Sequence, residues 1–244
     1  MTIKPLKIYI GYDPRDNNAY MVLKHTIRKN TKHPVEITPI WDIPLRHKAL
    51  YWRTYRVDEK GQYWDGKDGR PFSTAFSFAR FGVPLLEEFA YDWVLYMDAD
   101  MMIRGDIKEL FDLADDNYGV MCVKHKHQPE ECLKMDGMVQ RPYERKNWSS
   151  LMLMKPGKCQ ALTRYALNNY PGKVLHGMQW IDSELIGDLP KTWNFLAGHD
   201  DPSQCDPKNV HHTLGTPDML SMNAVPTQWD DEWWANLQEA GGPW

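Results

Sequence analysis

The chain has 244 residues, a formal net charge of −4 and 42% hydrophobic residues. This length suits one domain with a substantial core, so we expect residues 1–244 to form a single domain. The slightly acidic charge balance excludes the basic surface typical of nucleic-acid-binding proteins, and no apolar run in the sequence reaches membrane-spanning length.

The cysteine pattern and the first residues of the sequence indicate in which cellular compartment the protein is expected. The four cysteines are scattered and form no Cys-x-x-Cys pair, which argues against a disulfide scaffold and against a cysteine zinc site. No apolar leader precedes the first predicted strand, so a reduced, cytoplasmic protein is the simplest expectation. Eleven tryptophans give modest support for a carbohydrate ligand, because a flat ring with a polar edge packs well on a sugar face.

The N-terminal pattern predicts a strand, a helix and a second strand. The strand covers residues 6–12, the helix is capped by Asp16 or Asn17 and ends near Asn30, and the second strand covers residues 35–40. This order predicts a parallel pair with a right-handed crossover, and such sheets bind ligands at the carboxyl ends of their strands. Three residues lie at that end of the first strand: Gly11, Tyr12 and Asp13.

The most informative pattern is an apolar strand that runs directly into two aspartates. Residues 94–97 are apolar throughout, as in a strand buried on both faces, and Asp98, Ala99 and Asp100 follow them. Alternation places the two carboxylates on the same side, and the small Ala99 leaves room for a ligand near the backbone. Close carboxylates repel each other unless a positive charge lies between them, and Mg²⁺ and Mn²⁺ prefer such oxygen ligands. The pattern therefore predicts a divalent metal site.

The other segments differ in character. Residues 41–72 are polar, aromatic and rich in glycine turns, which predicts an excursion from the sheet in the form of a hairpin. The tail at 218–244 is acidic and aromatic; its acidity opposes binding to anionic lipid, which favours a lid or an intrachain packing patch over a membrane anchor. The remaining predicted elements are a helix at 76–86 carrying Arg80, a helix at 107–111, a strand at 118–123, a charged loop at 124–146, a strand at 150–154, helices at 158–170 and 178–186, and a last strand from Val210 carrying His211 and His212.

Two blocks of this sequence resemble a known enzyme family. The block from Arg80-Phe81-x-x-Pro84 to Asp98-Ala99-Asp100 and the segment Leu189-Pro190-Lys191-Thr192-Trp193-Asn194 are similar to retaining glycosyltransferases of family 8, which include glycogenin-like and bacterial galactosyltransferase-like enzymes. The resemblance implies an α/β, Rossmann-like GT-A fold with a mixed, mostly parallel sheet flanked by helices. It also implies transfer of a hexose from a UDP-sugar donor to a carbohydrate or other hydroxyl acceptor.

The resemblance implies a metal site that holds the donor diphosphate. Asp98, Asp100 and one histidine would bind Mn²⁺ or Mg²⁺, and Arg80 would contact the phosphate or the donor sugar. Two histidines compete for this role: His212 keeps the family spacing to Gly215, whereas His211 keeps the preceding valine, which favours His211 slightly.

Further roles follow from the same resemblance. Tyr12 and Asp13 would grip the uracil and ribose, although Asp13 also suits a plain turn at the end of a strand. Asp182, expected on a helix, would orient the sugar hydroxyls or support the oxocarbenium-like centre. Three residues would line the donor sugar: Asn147, Ser149 and Ser150. The segment Trp193-Asn194 would lie near the acceptor, and the loops at 41–72 and 124–146 would set acceptor choice.

One departure from the family pattern keeps alternatives open. The family has a lysine three residues after the glycine that matches Gly215, whereas this chain has Asp218 there. Either Lys208 or another basic residue replaces that lysine, or the diphosphate is neutralised less well. A sugar-phosphate nucleotidyltransferase and a non-catalytic nucleotide-sugar- or glycan-binding module are the alternative interpretations.

Overall fold

The computed structural model describes residues 3–90, 92–126, 132–133, 139–140, 145–222 and 225–242. Much of the predicted loop at 124–146 lies outside these residues. The α-helices are α1 (Asn17–Asn30), α2 (Asp42–His47), α3 (Val83–Leu86), α4 (Ile107–Phe111), α5 (Arg164–Asn169), α6 (Gly172–His176) and α7 (Asp230–Glu239). The strands are β1 (Leu6–Gly11), β2 (Val35–Ile40), β3 (Tyr55–Val57), β4 (Tyr63–Asp65), β5 (Pro71–Phe72), β6 (Val94–Met97), β7 (Met101–Ile103), β8 (Val120–Cys122), β9 (Cys132–Leu133), β10 (Val139–Gln140), β11 (Leu151–Met154), β12 (Ile186–Asp188), β13 (Phe195–Leu196) and β14 (Asn209–His211). Short 3-10 helices lie at Pro14–Asp16, Ala79–Gly82, Trp148–Ser150, Pro156–Lys158, Ser183–Leu185, Lys191–Trp193 and Pro217–Met222.

The central sheet has six strands in the order β12-β8-β11-β6-β1-β2. Strand β1 pairs in parallel with β2 and β6, and β12 pairs in parallel with β8. Strand β11 alone runs antiparallel to both of its neighbours. Apolar residues on the two faces of this sheet belong to two separate buried clusters, so the sheet is covered on both sides. The predicted mixed, mostly parallel α/β sheet is confirmed.

Besides the two-stranded pair of β10 and β9, two three-stranded sheets accompany the central one. Strands β13, β14 and β7 form one of them, and β7 begins one residue after Asp100. Strands β3, β4 and β5 form the other, which is the structure of the predicted excursion at 41–72. A buried ion pair between Arg53 and Asp65 fixes this excursion, with Nε of Arg53 2.6 Å from Oδ1 of Asp65. Nη1 of the same arginine donates to the carbonyl oxygen of Tyr170, just after α5.

Three predicted helices are shorter than expected or absent. The predicted helix at 76–86 is reduced to a 3-10 turn and the single turn α3, which starts beside Pro84. The expected helix at 158–170 is reduced to α5, because the Thr163 side chain accepts from the backbone N–H of Ala166 and starts the helix there. The helix at 178–186 is wrong: Met178 is left-handed with a φ of 50°, and Asp182, in the middle of the segment, is extended with a ψ of 138°, which interrupts a helix. The chain then enters the strand β12.

The C-terminal tail packs inside the chain. Helix α7 buries Trp229, Trp233 and Leu237 in a cluster with Val22 of α1 and with residues of the β13-β14-β7 sheet. The predicted packing patch is therefore observed. None of the helices in the described ranges has the combination of length and apolarity that a membrane crossing requires.

Candidate active site

The two aspartates and one histidine meet where β6, β7 and β14 come together. Asp98 follows β6, Asp100 precedes β7, and His211 lies opposite Met101 in the antiparallel pair of β14 and β7. One ligand atom from each of the three side chains lies within 4.8 Å of the other two. Oxygen and imidazole nitrogen donors at this spacing fit a divalent cation such as Mn²⁺ or Mg²⁺.

Asp98 is the more enclosed of the two aspartates. The hydroxyl of Tyr96 donates to its Oδ1 at 2.6 Å, and Nη1 of Arg80 lies 2.9 Å from Oδ1 and 3.1 Å from Oδ2. Burial raises the pKa of Asp98, and Asp100 adds to that effect, whereas Arg80 and His211 act in the opposite direction. A cation at the cluster would lower this pKa, because it would stabilise the charged carboxylate.

The two candidate histidines lie on different sides of β14. Nε2 of His211 lies 3.2 Å from Oδ1 of Asp100, and its Nδ1 lies 2.8 Å from Oδ1 of Asn194. His212 is 1% exposed, and neither ring nitrogen has a hydrogen-bond partner within the described part of the chain. Burial lowers the pKa of His212 to about 4. The geometry thus brings His211, and not His212, to the aspartates.

The predicted sugar-lining segment lies directly against Asp98. The carbonyl oxygen of Ser150 accepts from the backbone N–H of Asp98 at 2.8 Å, and the carbonyl oxygen of Ser149 accepts from Nη1 of Arg80 at 3.0 Å. Asn147 has a φ of 64°, and its carbonyl oxygen accepts from the Ser150 hydroxyl at 2.6 Å. Arg80, both serines and Asn147 therefore form one wall of the cluster.

The last residue of β1, Gly11, packs closely against the side chains of Phe76 and Tyr96. A Cβ at Gly11 would lie 2.5 Å from Cδ2 of Phe76 and 2.6 Å from the Tyr96 hydroxyl oxygen, so only glycine fits. The carboxylate of Asp13 accepts from three donors of Arg15 and from the backbone N–H of Ala75. These four hydrogen bonds use the acceptor capacity of the carboxylate. The turn interpretation of Asp13 is therefore observed, and its contact with a nucleotide stays a prediction.

Tyr12 lies in a group of three aromatic rings, of which the sequence analysis assigned only Tyr12 to the site. Its ring lies edge-on to Trp41 at 5.0 Å and to Tyr20 at 5.2 Å between ring centroids. Trp41 directly follows β2, as Tyr12 follows β1, so both lie at the same edge of the parallel pair. The position of Trp41 directly after a predicted strand could have indicated that it lies beside Tyr12. These rings offer the flat apolar surface that a base can pack on.

Three other predictions are modified by the structure. Asp182 is exposed and not helical, since it precedes the 3-10 turn Ser183–Leu185, and its role stays a prediction. Lys208 pairs with Glu109 and covers the ring of Trp193, so it is engaged away from the cluster. Asn194 is fully buried, with Oδ1 2.8 Å from Nδ1 of His211, and its location near an acceptor stays a prediction.

The segment after His212 contains an acid where the family has a lysine. Gly215 has a φ of 98°, a conformation that favours glycine. Asp218 accepts from the Thr216 hydroxyl at 2.6 Å and from Nδ2 of Asn18 at 3.0 Å. Asp218 therefore ties this segment to α1.

Comparisons with known proteins agree with this geometry. Glycosyl transferase family 8 matches residues 70–161 of the chain. Protein CDI of Arabidopsis thaliana is 46% identical over 221 residues, which cover 88% of this chain and 80% of that protein.

Solved glycosyltransferases share the fold at low sequence identity. The apo form of GlyE from Streptococcus pneumoniae TIGR4 has a TM-score of 0.60 and 14% identity, over 96% of this chain and 60% of GlyE. The bifunctional glycosyltransferase WbbM has a TM-score of 0.57 and 17% identity, over 97% of this chain and 52% of WbbM. The galactosyltransferase LgtC, in complex with donor and acceptor sugar analogues, has a TM-score of 0.51 and 11% identity, over 96% of both chains. The chain spans less than two thirds of GlyE and of WbbM.

The family match covers the block that carries Arg80, Asp98 and Asp100, and a relative with nearly half of its aligned residues identical spans most of both chains. The chain therefore belongs to glycosyl transferase family 8 and has the GT-A fold of these glycosyltransferases.

Proposed function

We propose that this glycosyltransferase moves a hexose from a UDP-sugar to a hydroxyl acceptor, in a metal-dependent reaction that retains the anomeric configuration. The observation that carries the proposal is the cluster of Asp98, Asp100 and His211 at the carboxyl end of β6. In open α/β sheets, ligands bind at this edge.

Asp98, Asp100 and His211 would hold Mn²⁺ or Mg²⁺ beside the donor diphosphate. When bound, the cation supplies Lewis-acid stabilisation of the negative charge that develops on the departing UDP. The guanidinium of Arg80 lies within 3 Å of Asp98 and adds fixed positive charge at the same place. Such stabilisation accelerates transfer because it is stronger in the transition state than in the ground state.

The remaining residues would bind and orient the donor. Tyr12 and Trp41 offer ring surfaces for the uracil, and the segment of Asn147, Ser149 and Ser150 lines the donor sugar. Asp182 would orient the sugar hydroxyls from its exposed position. With retention, the acceptor attacks the face that UDP leaves, and an oxygen of the released phosphate takes the acceptor proton.

The acceptor would bind near the small β3-β4-β5 sheet. This sheet carries aromatic side chains, with the Tyr63 ring stacked on Phe72 at 5.2 Å and the guanidinium of Arg15 4.8 Å from the Tyr63 ring centroid. Because Arg15 also binds Asp13 at the end of β1, the sheet adjoins the donor edge. Aromatic faces of this kind suit a carbohydrate acceptor.

The decisive experiment measures UDP release. The protein is incubated with UDP-glucose or UDP-galactose, with and without Mn²⁺, and UDP is quantified. We expect metal-dependent release that Asp100→Asn lowers about 10²- to 10³-fold, because the cation that stabilises the leaving group loses a carboxylate ligand. Asp112→Asn, at an exposed carboxylate paired with Lys108 on the surface, is the matched control and should leave the rate unchanged.

Other outcomes would favour the alternatives. Saturable, metal-dependent UDP binding without release from any nucleotide sugar would indicate a binding module, which the acid at Asp218 favours. Pyrophosphate formed from UTP and a sugar phosphate would indicate a nucleotidyltransferase. A thermal-shift panel of nucleotide sugars identifies the donor by rank order, since a ligand that binds the native state raises its apparent stability.

A further inference from the structure

The side-chain amide of Asn194 lies buried between the metal-site histidine and the donor-sugar wall. It is fully buried, with Oδ1 2.8 Å from Nδ1 of His211 and Nδ2 3.0 Å from the hydroxyl oxygen of Ser150. Nδ2 also lies 3.4 Å from the carbonyl oxygen of Asn147. One amide thus joins β14 to the segment that precedes β11.

Its surroundings fix which end of the amide faces the histidine. The Ser150 hydroxyl donates its own hydrogen to the carbonyl oxygen of Asn147 at 2.6 Å, so it presents only lone pairs to Asn194. The Asn147 carbonyl oxygen is likewise an acceptor. Nδ2 of Asn194 must therefore face this side, and Oδ1 must face His211.

The orientation of the amide determines the tautomer of the histidine. A carbonyl oxygen accepts but never donates, so Nδ1 of His211 carries the hydrogen that fills the 2.8 Å contact. In the neutral imidazole, Nε2 is then unprotonated, and its lone pair points towards Oδ1 of Asp100 at 3.2 Å. Two acceptors that face each other at this distance repel each other unless a hydrogen or a metal ion lies between them. A metal ion that binds both atoms removes that repulsion.

We propose that Asn194 is a positioning residue that holds His211 in the Nδ1–H tautomer, so that Nε2 is always available as a ligand, and that couples the histidine to the Asn147–Ser150 wall. The role rests on the metal-dependent function proposed above. Without this acceptor, the hydrogen can move to Nε2, where it faces Asp100 and blocks ligation.

The test measures Mn²⁺ affinity in the absence of nucleotide, from the electron paramagnetic resonance signal of free Mn²⁺. Asn194→Leu keeps the volume and removes the acceptor, and we expect it to weaken Mn²⁺ binding about 10- to 100-fold, the usual effect of losing a partner of a ligating histidine. Asn194→Asp retains an acceptor for Nδ1–H and should restore most of the affinity. Asn209→Leu is the matched control, because Asn209 is an equally buried amide on β14 that bonds to the Trp193 carbonyl oxygen.

A second readout reports the tautomer itself without metal. Nitrogen-15 NMR of labelled histidine, with the His211 signals assigned by their loss in His211→Gln, should show hydrogen on Nδ1 in the wild type and on Nε2 or both nitrogens in Asn194→Leu. Urea unfolding of each variant confirms that the measurements concern folded protein.

The outcomes separate the two proposals. A wild-type protein without Mn²⁺ affinity would overturn the proposed metal-dependent function, and this inference with it. Wild-type binding together with equal binding by Asn194→Leu would overturn the positioning role alone. Equal losses in Asn194→Leu and Asn209→Leu would also overturn it, since any buried amide would then have the same effect.

Discussion

Two buried tyrosines, Tyr9 and Tyr96, make the same kind of hydrogen bond, but only that of Tyr96 is made to a residue of the candidate site. Tyr9 of β1 and Tyr96 of β6 are paired in register, and each hydroxyl donates to a carboxylate at 2.6 Å. Burial raises the pKa of both phenols, so both stay neutral donors. The acceptor of Tyr9 is Glu87, which pairs with Lys7, whereas the acceptor of Tyr96 is Asp98.

Substitution of each tyrosine by phenylalanine separates these roles. We expect Tyr96→Phe and Tyr9→Phe each to lower the free energy of unfolding by about 1.5–3 kcal/mol, because each removes a hydrogen bond to a charged group. Only Tyr96→Phe should weaken Mn²⁺-dependent UDP binding, about 10- to 100-fold, because Asp98 loses the donor that orients it. Urea unfolding and isothermal titration measure the two effects. Equal losses of affinity in both variants would contradict the assignment of Tyr96 to the site.

At the scale of elements, the turn after β1 is fixed by a single carboxylate. Burial pushes the pKa of Asp13 up, but Arg15 and the backbone N–H of Ala75 more than offset this, so the pKa lies below its ordinary value of 3.8. Asp13 thereby joins the end of β1 to the segment before the 3-10 turn that carries Arg80. The position of this turn depends on an ionised carboxylate.

This linkage predicts a pH dependence of stability. Because the folded-state pKa of Asp13 is depressed, its contribution is fully present above pH 3.8 and is lost as the pH falls through the folded-state value. At neutral pH, Asp13→Asn should lower the free energy of unfolding by about 1–3 kcal/mol. The difference between wild type and variant, measured by urea unfolding at several pH values, should shrink in acid. A difference that stays constant below pH 3.8 would rule out this role.

At the scale of the whole molecule, the C-terminal helix supports the sheet that carries the metal-site histidine. Trp233 of α7 is fully buried in a cluster with Met102 of β7 and Val210 of β14, the residue before His211. Lys29 of α1 ties the far end of α7 through an ion pair with Glu239. Helices α7 and α1 therefore pack together against the β13-β14-β7 sheet.

Removal of the Trp233 ring should lower both the free energy of unfolding and the affinity for Mn²⁺. We expect Trp233→Ala to lower the free energy of unfolding by about 3–5 kcal/mol, as expected for a large cavity in a core. Because β7 and β14 lose support, Mn²⁺ affinity should fall as well. Trp234→Ala, at a half-buried neighbour in edge-on contact with Trp233, is the control and should cost less in both measurements. Circular dichroism follows unfolding, and undiminished Mn²⁺ affinity in Trp233→Ala would refute the supporting role.

Local sequence patterns were sufficient to predict several elements of the fold. The apolar runs of β1 and β6, the 14-residue helix α1 and the aspartates at the end of β6 were predicted correctly, because their periodicity lies within a few neighbouring residues. The motifs around Arg80 and Asp98 were also enough to indicate the family. Local patterns failed at 178–186, where Met178 is left-handed and Asp182 is extended, so that no helix forms.

Contacts between distant parts of the chain select which of the predicted side chains come together in the candidate site. The register of β14 against β7 brings His211 to Asp100, whereas the sequence favoured His211 only slightly over His212. Asn194 contacts His211, and the backbone N–H of Ala75 contacts the carboxylate of Asp13. These contacts join segments that are separated in sequence, and the alternation of side chains fixes two faces of a strand but not the partner that each face meets.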